Sequence, residues 1–140
     1  MKDLTCFISQ KAFIEKDGEL LLLHDPQIGV ELPGGKVLEN ETDLRMSLQR
    51  EVIEETGLII DIGKPFHTWL YTIPSDIGHR SAGKRFLCVG YRCTYVSGDI
   101  KLSSEHDWYK WVNKDNYKEY CKTNFSDVLG VYFENINISM

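Results

Sequence analysis

Leu44, Leu48 and Val52 recur every four residues in LRMSLQREVIEETG, residues 44–57. That spacing lines one face of an α-helix. Asp43 or Thr42 can cap its start, and Gly57 suits the left-handed position just past its end. The spacing therefore predicts a helix over residues 43–56. The runs around it read differently. TCFISQKAFIEKDGELLLLHD has two strand-like halves around Asp17-Gly18, a strong hairpin turn signal. GVELPGGKVL reads as a loop closing into a short strand, and LIIDIGKPFHTWLYTI as one or two strands rich in β-branched and aromatic residues. PSDIGHRSAGK is a loop, RFLCVGYRCTYV a long strand, SGD a turn and WYKWV a short strand. KDNYKEYCK suits a short helix. In the tail, Phe125, Val128, Leu129, Tyr132 and Ile136 share one helical face despite Gly130. The pattern is α+β: mostly antiparallel strands, one helix bearing the polar chemistry and one packing helix.

The first helix crowds Glu51, Glu54 and Glu55 into its last turns. Spacings of three and four residues bring side chains to about 5–6 Å at Cβ, where like charges cost a few tenths of a kcal/mol per pair. The helix dipole disfavours negative charge at the same end. A hard divalent cation reverses both effects, because carboxylate oxygens are its preferred ligands. A solvated acidic helix end is the alternative that these residues leave open. Upstream, Gly34 and Gly35 let the backbone approach a ligand or metal closely. A glycine loop leading to a carboxylate-rich helix end makes a pocket for a metal-bound phosphate chain. Lys36, beside the glycine pair, can reach a phosphate. Arg80, Lys84 and Arg85 cluster in and after the loop and can do the same, or remain solvated. Trp69 and Tyr71 share strand parity and can stack a base or fill the core. His24, His67, His79 and His106 show no metal-ligand spacing and receive no role.

A chain of 140 residues without repeats, low-complexity tracts or linkers reads as one domain over 1–140. A net charge of −5 argues against non-specific nucleic-acid or anionic-membrane binding, but not against a small phosphorylated ligand. No apolar run approaches a membrane span, and MKDLTCFISQ lacks a signal-peptide core. Cys6, Cys88, Cys93 and Cys121 form no CxxC pair, which suggests buried free thiols and a cytoplasmic setting. Cys88 and Cys93, on one strand, should point to opposite faces.

The stretch as a whole resembles the Nudix hydrolases. Their signature runs glycine, five residues, glutamate, seven residues, Arg-Glu, an aliphatic, any residue, Glu-Glu, any residue, glycine, aliphatic. Gly35, KVLEN and Glu41 match its first part, and REVIEETGL, Arg50 to Leu58, its last. ELPGGKV and EHDWYKWV resemble the stretches that flank the box in many members. Two departures stand out. Eight residues, TDLRMSLQ, separate Glu41 from Arg50 instead of seven, and Val30 stands where many members carry an aromatic residue. One residue inserted in a helix would rotate everything beyond it by about 100°. The unbroken apolar stripe places the extra residue near Thr42, before the helix. The resemblance implies a Nudix-type α/β/α sandwich with a mixed, mostly antiparallel sheet. It also implies Mg²⁺- or Mn²⁺-dependent hydrolysis, by water, of a nucleoside diphosphate linked to another moiety. Carried over, Glu51 and Glu55 are metal ligands, Glu54 is a ligand or the general base, and the Gly35 carbonyl is a further ligand. Glu105 is another catalytic or metal-binding acid, or else an ordinary loop carboxylate, and Glu41 is a structural partner of Arg50. The three α-helical carboxylates are expected on one exposed face. A non-catalytic nucleotide-binding or regulatory module on the same fold is the alternative. The substrate and the oligomeric state stay open.

Overall fold

The chain opens on a hairpin, β1 (Phe7–Lys16) and β2 (Glu19–Asp25), in a computed structural model that describes residues 1–76, 78–122 and 125–136. Asp17 and Gly18 both take positive φ, 53° and 80°. That is the two-residue turn whose twist matches the flanking strands. The four leucines of β2 are fully buried and alternate between two layers. Leu20 and Leu22 join Phe13, Leu129 and Tyr132 on one side. Leu21 and Leu23 join Ala12, Ile14, Leu48 and Val52 on the other. Both faces of the sheet are therefore covered, which is why the strand reads as a continuous apolar run and not an alternating one.

Short β3 (Gly29–Glu31) and β4 (Gly34–Lys36) follow, then α1 (Leu44–Thr56). Asp43 caps α1, its carboxylate accepting from the Arg45 and Met46 N–H groups. Gly57 ends it at φ 75°, its N–H donating to the Ile53 carbonyl. The helix is α-helical throughout, so the extra residue between Glu41 and Arg50 is absorbed before it starts. Leu48 and Val52 are fully buried, whereas Leu44 is half exposed. The long run after α1 is one strand, β5 (Ile59–Thr72), with register shifts between Ile62 and His67. The Arg45 guanidinium donates to the Ile62 and Gly63 carbonyls there.

β6 (Arg85–Ser97) lies between β5 and β1, antiparallel to the first and parallel to the second. β7 (Trp108–Val112) pairs with β2 and β4 with β1, completing a seven-stranded mixed sheet of order β3-β2-β1-β6-β5. Short α2 (Tyr117–Tyr120) and α3 (Ser126–Ile136) close the chain. Phe125, Val128, Leu129 and Tyr132 pack on the sheet as expected; the side chain of Ile136 lies outside the described residues. With α1 on one face and α3 on the other, the architecture is an α/β/α sandwich. Among the described residues no helix is long and apolar enough to cross a membrane.

Cys88 and Cys93 do face opposite layers of β6. Burial pushes their thiols up to about 11 and about 12. Cys6 departs from expectation, being only half-buried.

Candidate functional site

The last turn of α1 packs against the β3–β4 corner, and this contact builds the site. The Gly34 N–H donates to Glu55 Oε1 at 2.7 Å. A Cβ on Gly35 would stand 2.5 Å from the Glu51 carboxyl carbon, so only glycine admits that carboxylate. Arg50 serves as the charge hub. Its Nε and Nη2 donate to the two Glu41 oxygens, each at 3.0 Å. Nη2 also lies 3.2 Å from Glu51 Oε1, and Nη1 3.1 Å from Glu54 Oε2. The fork with Arg50, helped by the Leu38 N–H, holds the Glu41 carboxyl down to about 2.

The three α1 carboxylates thus share a direction but not an environment. Glu54 is exposed and Glu51 half-buried, while Glu55 is only 6% exposed. The expectation of one exposed acidic face is corrected here. Tertiary packing sinks the last carboxylate beneath β4 and supplies it with polar neighbours. Burial pushes Glu55 up to about 8, countered only in part by Lys11 and the Gly34 N–H. Burial also raises Glu51.

Three residues without a role from the sequence complete this end. Glu31, at the end of β3, pairs through Oε1 with His106 Nε2 at 2.7 Å. His106 precedes β7, is buried, and turns Nδ1 toward Glu55 Oε2 at 3.9 Å. Lys11, on β1, is buried beside them, its ammonium 3.5 Å from the Leu32 carbonyl. Burial would lower Lys11 and raise Glu31. Their mutual attraction, with Glu55 acting on Lys11 and His106 on Glu31, reverses both shifts, so both stay charged. For His106, burial is outweighed by the Glu31 hydrogen bond, and its pKa is raised. One signal for Lys11 was legible: a cation at a core-facing position of the apolar β1. His106 gave none, because its partners come from distant β3 and α1.

Lys11, Glu31, Gly34, Gly35, Glu51, Glu54 and Glu55 line one cavity of about 270 Å³, with His106, Arg50 and Glu41 just behind its wall. Its other wall is apolar, built from Ile28, Tyr71, Ile73, Phe86 and Phe125. Gly35, Lys36, Glu51, Glu54, Glu55, Arg80 and Glu105 all border it. Arg80 and Glu105 are exposed and lie 3.7 Å apart at the rim. Lys84 and Arg85 do not line it. Phe86 and Cys88 point into the cavity, so Arg85, one residue before, points to the other face. The Lys84 ammonium sits over the Phe7 ring, 5.2 Å from its centre. Of the two aromatic residues of β5, Tyr71 borders the cavity and Trp69 packs edge-on to Phe13 and Phe125 in the core.

A family model described as "NUDIX domain" matches residues 12–128. This chain belongs to the NUDIX family. A NUDIX relative from Streptomyces ambofaciens, described as a MutT-like protein, is 29% identical over 107 residues. That match takes in 76% of this chain and 62% of the relative, so the chain spans less than two thirds of that protein. Among solved structures, the MutT protein from Methanosarcina mazei Go1 superposes with a TM-score of 0.73 at 27% identity, covering 99% of this chain and 98% of that one. A NUDIX-family hydrolase from Clostridium perfringens gives 0.75 at 19% identity over 98% and 100%, a likeness of fold. In this NUDIX chain the box glutamates, the glycine corner and the Arg50–Glu41 fork all meet at one end of the cavity.

Proposed function

We infer that residues 1–140 act as a single metal-dependent pyrophosphohydrolase domain, cleaving a nucleoside diphosphate linked to another moiety. The observation that carries this reading is the convergence of Glu51, Glu54 and Glu55 with Gly35 on one wall of the cavity. The donor set fits a hard divalent cation. It offers carboxylate oxygens, a glycine position that admits Glu51, and a Glu55 carboxyl whose burial raises its pKa and whose charged form a cation would stabilise. Glu51, Glu55 and the Gly35 carbonyl hold Mg²⁺ or Mn²⁺ in this reading. Such an ion supplies charge neutralisation for a diphosphate and acidifies water.

The other roles belong to the chain's own side chains. Glu54 faces solvent at the cavity mouth and takes the proton of the attacking water, or serves as a further ligand. Glu105 is the second acid within reach of the cavity. Lys36 and Arg80 hold phosphate oxygens from the rim. Tyr71, Phe86 and Phe125 offer an aromatic wall for a base. Fold neighbours that carry the names ADP-ribose pyrophosphatase and UDP-X diphosphatase agree with this bond class and leave the moiety open.

The test is a panel of nucleoside triphosphates, dinucleoside polyphosphates and ADP-ribose-type compounds with Mg²⁺ or Mn²⁺, products resolved by chromatography. Metal-dependent release of a nucleotide or phosphate from at least one compound is expected. Binding without turnover across the panel would instead support a nucleotide-binding module.

A further inference from the structure

We propose that His106 Nδ1 and Glu55 Oε2 bind a divalent cation between them, with Glu31 holding the imidazole in the tautomer that this requires. The inference shares Glu55 with the proposed hydrolase reading and rests on it to that extent. It adds a nitrogen ligand to a site so far built from oxygens alone.

Geometry supplies the first support. Glu31, Glu55 and His106 come from β3, α1 and the approach to β7, and one potential ligand atom of each lies within 4.8 Å of the others. His106 Nε2 is 2.7 Å from Glu31 Oε1. When a metal displaces the second ring proton, a carboxylate accepting from one ring nitrogen keeps the other nitrogen's lone pair turned to the ion, the arrangement found behind most metal-bound histidines. That other nitrogen, Nδ1, is buried and has no hydrogen-bond partner. Its distance to Glu55 Oε2 is 3.9 Å. This is too long for a charge-assisted hydrogen bond, which closes to about 2.7–2.9 Å. Two ligands on one ion, each about 2.0–2.2 Å from it, lie up to about 4.4 Å apart. The gap has the width for an ion and not for a hydrogen bond.

Charge supplies the second support. Glu31, Glu41, Glu51, Glu54 and Glu55 gather around this end of the site against the two cations Lys11 and Arg50, and Arg50 is forked to Glu41 while also reaching Glu51 and Glu54. A dication offsets part of that excess. A site with an imidazole ligand favours Mn²⁺, Co²⁺ or Zn²⁺ over Mg²⁺, which prefers oxygen ligands and retained waters.

The experiment is electron spin-echo envelope modulation on Mn²⁺ added to the intact protein, once at natural abundance and once with ¹⁵N-labelled histidine. Modulation from a directly bound ¹⁴N, replaced by a ¹⁵N pattern on labelling, is the expected result and requires no mutation. His106→Gln should abolish it. Glu31→Gln should keep it while weakening Mn²⁺ binding on the order of 10–100-fold. Oxygen-only Mn²⁺ in the parent, no Mn²⁺ binding, or nitrogen modulation that survives His106→Gln would each overturn the proposal. Hydrolysis is assayed separately. Oxygen-only Mn²⁺ with turnover sinks this inference alone, and nitrogen-bound Mn²⁺ without turnover sinks the hydrolase reading alone.

Discussion

At Glu54, the neighbouring Arg50 changes the expected response to mutation. The spacing of the acidic cluster suggests that losing one charge should relieve repulsion. Yet Arg50 already bonds Glu54 on an exposed face. Glu54→Gln therefore removes a surface pair worth about 0.3–0.5 kcal/mol along with the repulsion. Its metal-free melting temperature should move by only a degree or two, while turnover falls on the order of 10²-fold or more if Glu54 is the general base. Parental turnover in this variant would remove Glu54 from the mechanism, and partial rescue at high Mn²⁺ would mark it as a ligand. Glu55 carries a different prediction. Its pKa is raised from 4.5 to about 8 in the folded state, and that of His106 is raised too. A group with a raised folded pKa stabilises fully below its unfolded pKa and loses that contribution as pH rises through the folded value. The metal-free protein should therefore melt progressively lower between pH 5 and about pH 8, and metal should help more at the alkaline end, because ligands must be deprotonated. Melting curves in chelator and in Mn²⁺ at several pH values check this. A metal-free melting temperature that climbs across that window would contradict it.

The element that sets the site is α1, and both its ends are pinned by local chemistry. Asp43 satisfies two N–H groups of the first turn. Asp43→Ala should cost about 1 kcal/mol, measured by denaturant titration. The cost should appear as stability and not as a change in metal affinity, since the carboxylates lie about two to three turns away. A loss of metal binding out of proportion to stability would show that the cap also sets the register of the glutamates. The other end is held by Thr56, whose hydroxyl donates to the Val52 carbonyl at 2.7 Å and accepts from the Leu58 N–H at 3.1 Å. That tie carries the chain from the helix directly into β5.

Across the whole molecule, the sheet separates two apolar layers, and the cavity opens on the layer that α3 covers. Phe125 belongs to both the α3 layer and the cavity wall. Packing of the α3 layer should therefore couple to the cavity's apolar wall, whereas packing of the α1 layer bears on the carboxylates that α1 carries. Leu22→Ala and Leu21→Ala, adjacent and both fully buried, should each cost about 2–5 kcal/mol. Leu22→Ala, on the α3 side, should also weaken metal-free nucleotide binding more than Leu21→Ala does, at temperatures where both variants remain folded. Equal binding losses in the two, read by calorimetry, would show that the layers do not differ in this respect.

Features that depend on near neighbours were legible in the chain. The Asp17-Gly18 turn, the ends of α1 at Asp43 and Gly57, the strand runs and the absorbed extra residue follow from capping, period and turn chemistry within a few positions. The box residues Gly35, Glu41 and Arg50 to Leu58 carried the family in the same local way. Long-range packing set everything else. It buried Glu55 and left Glu54 in water, though both stand on one helix. It brought Lys11, Glu31 and His106 to the carboxylates from three separate strands and loops. It turned Arg85 away from the cavity and set Lys84 over Phe7. It also paired β1 with β6 in parallel, a contact between segments 79 residues apart at Phe7 and Phe86. The physical reason is the same in each case. Periodicity states which face of an element is apolar, but only the packing of that face against a distant partner decides which polar groups are taken out of water and which charges they meet there.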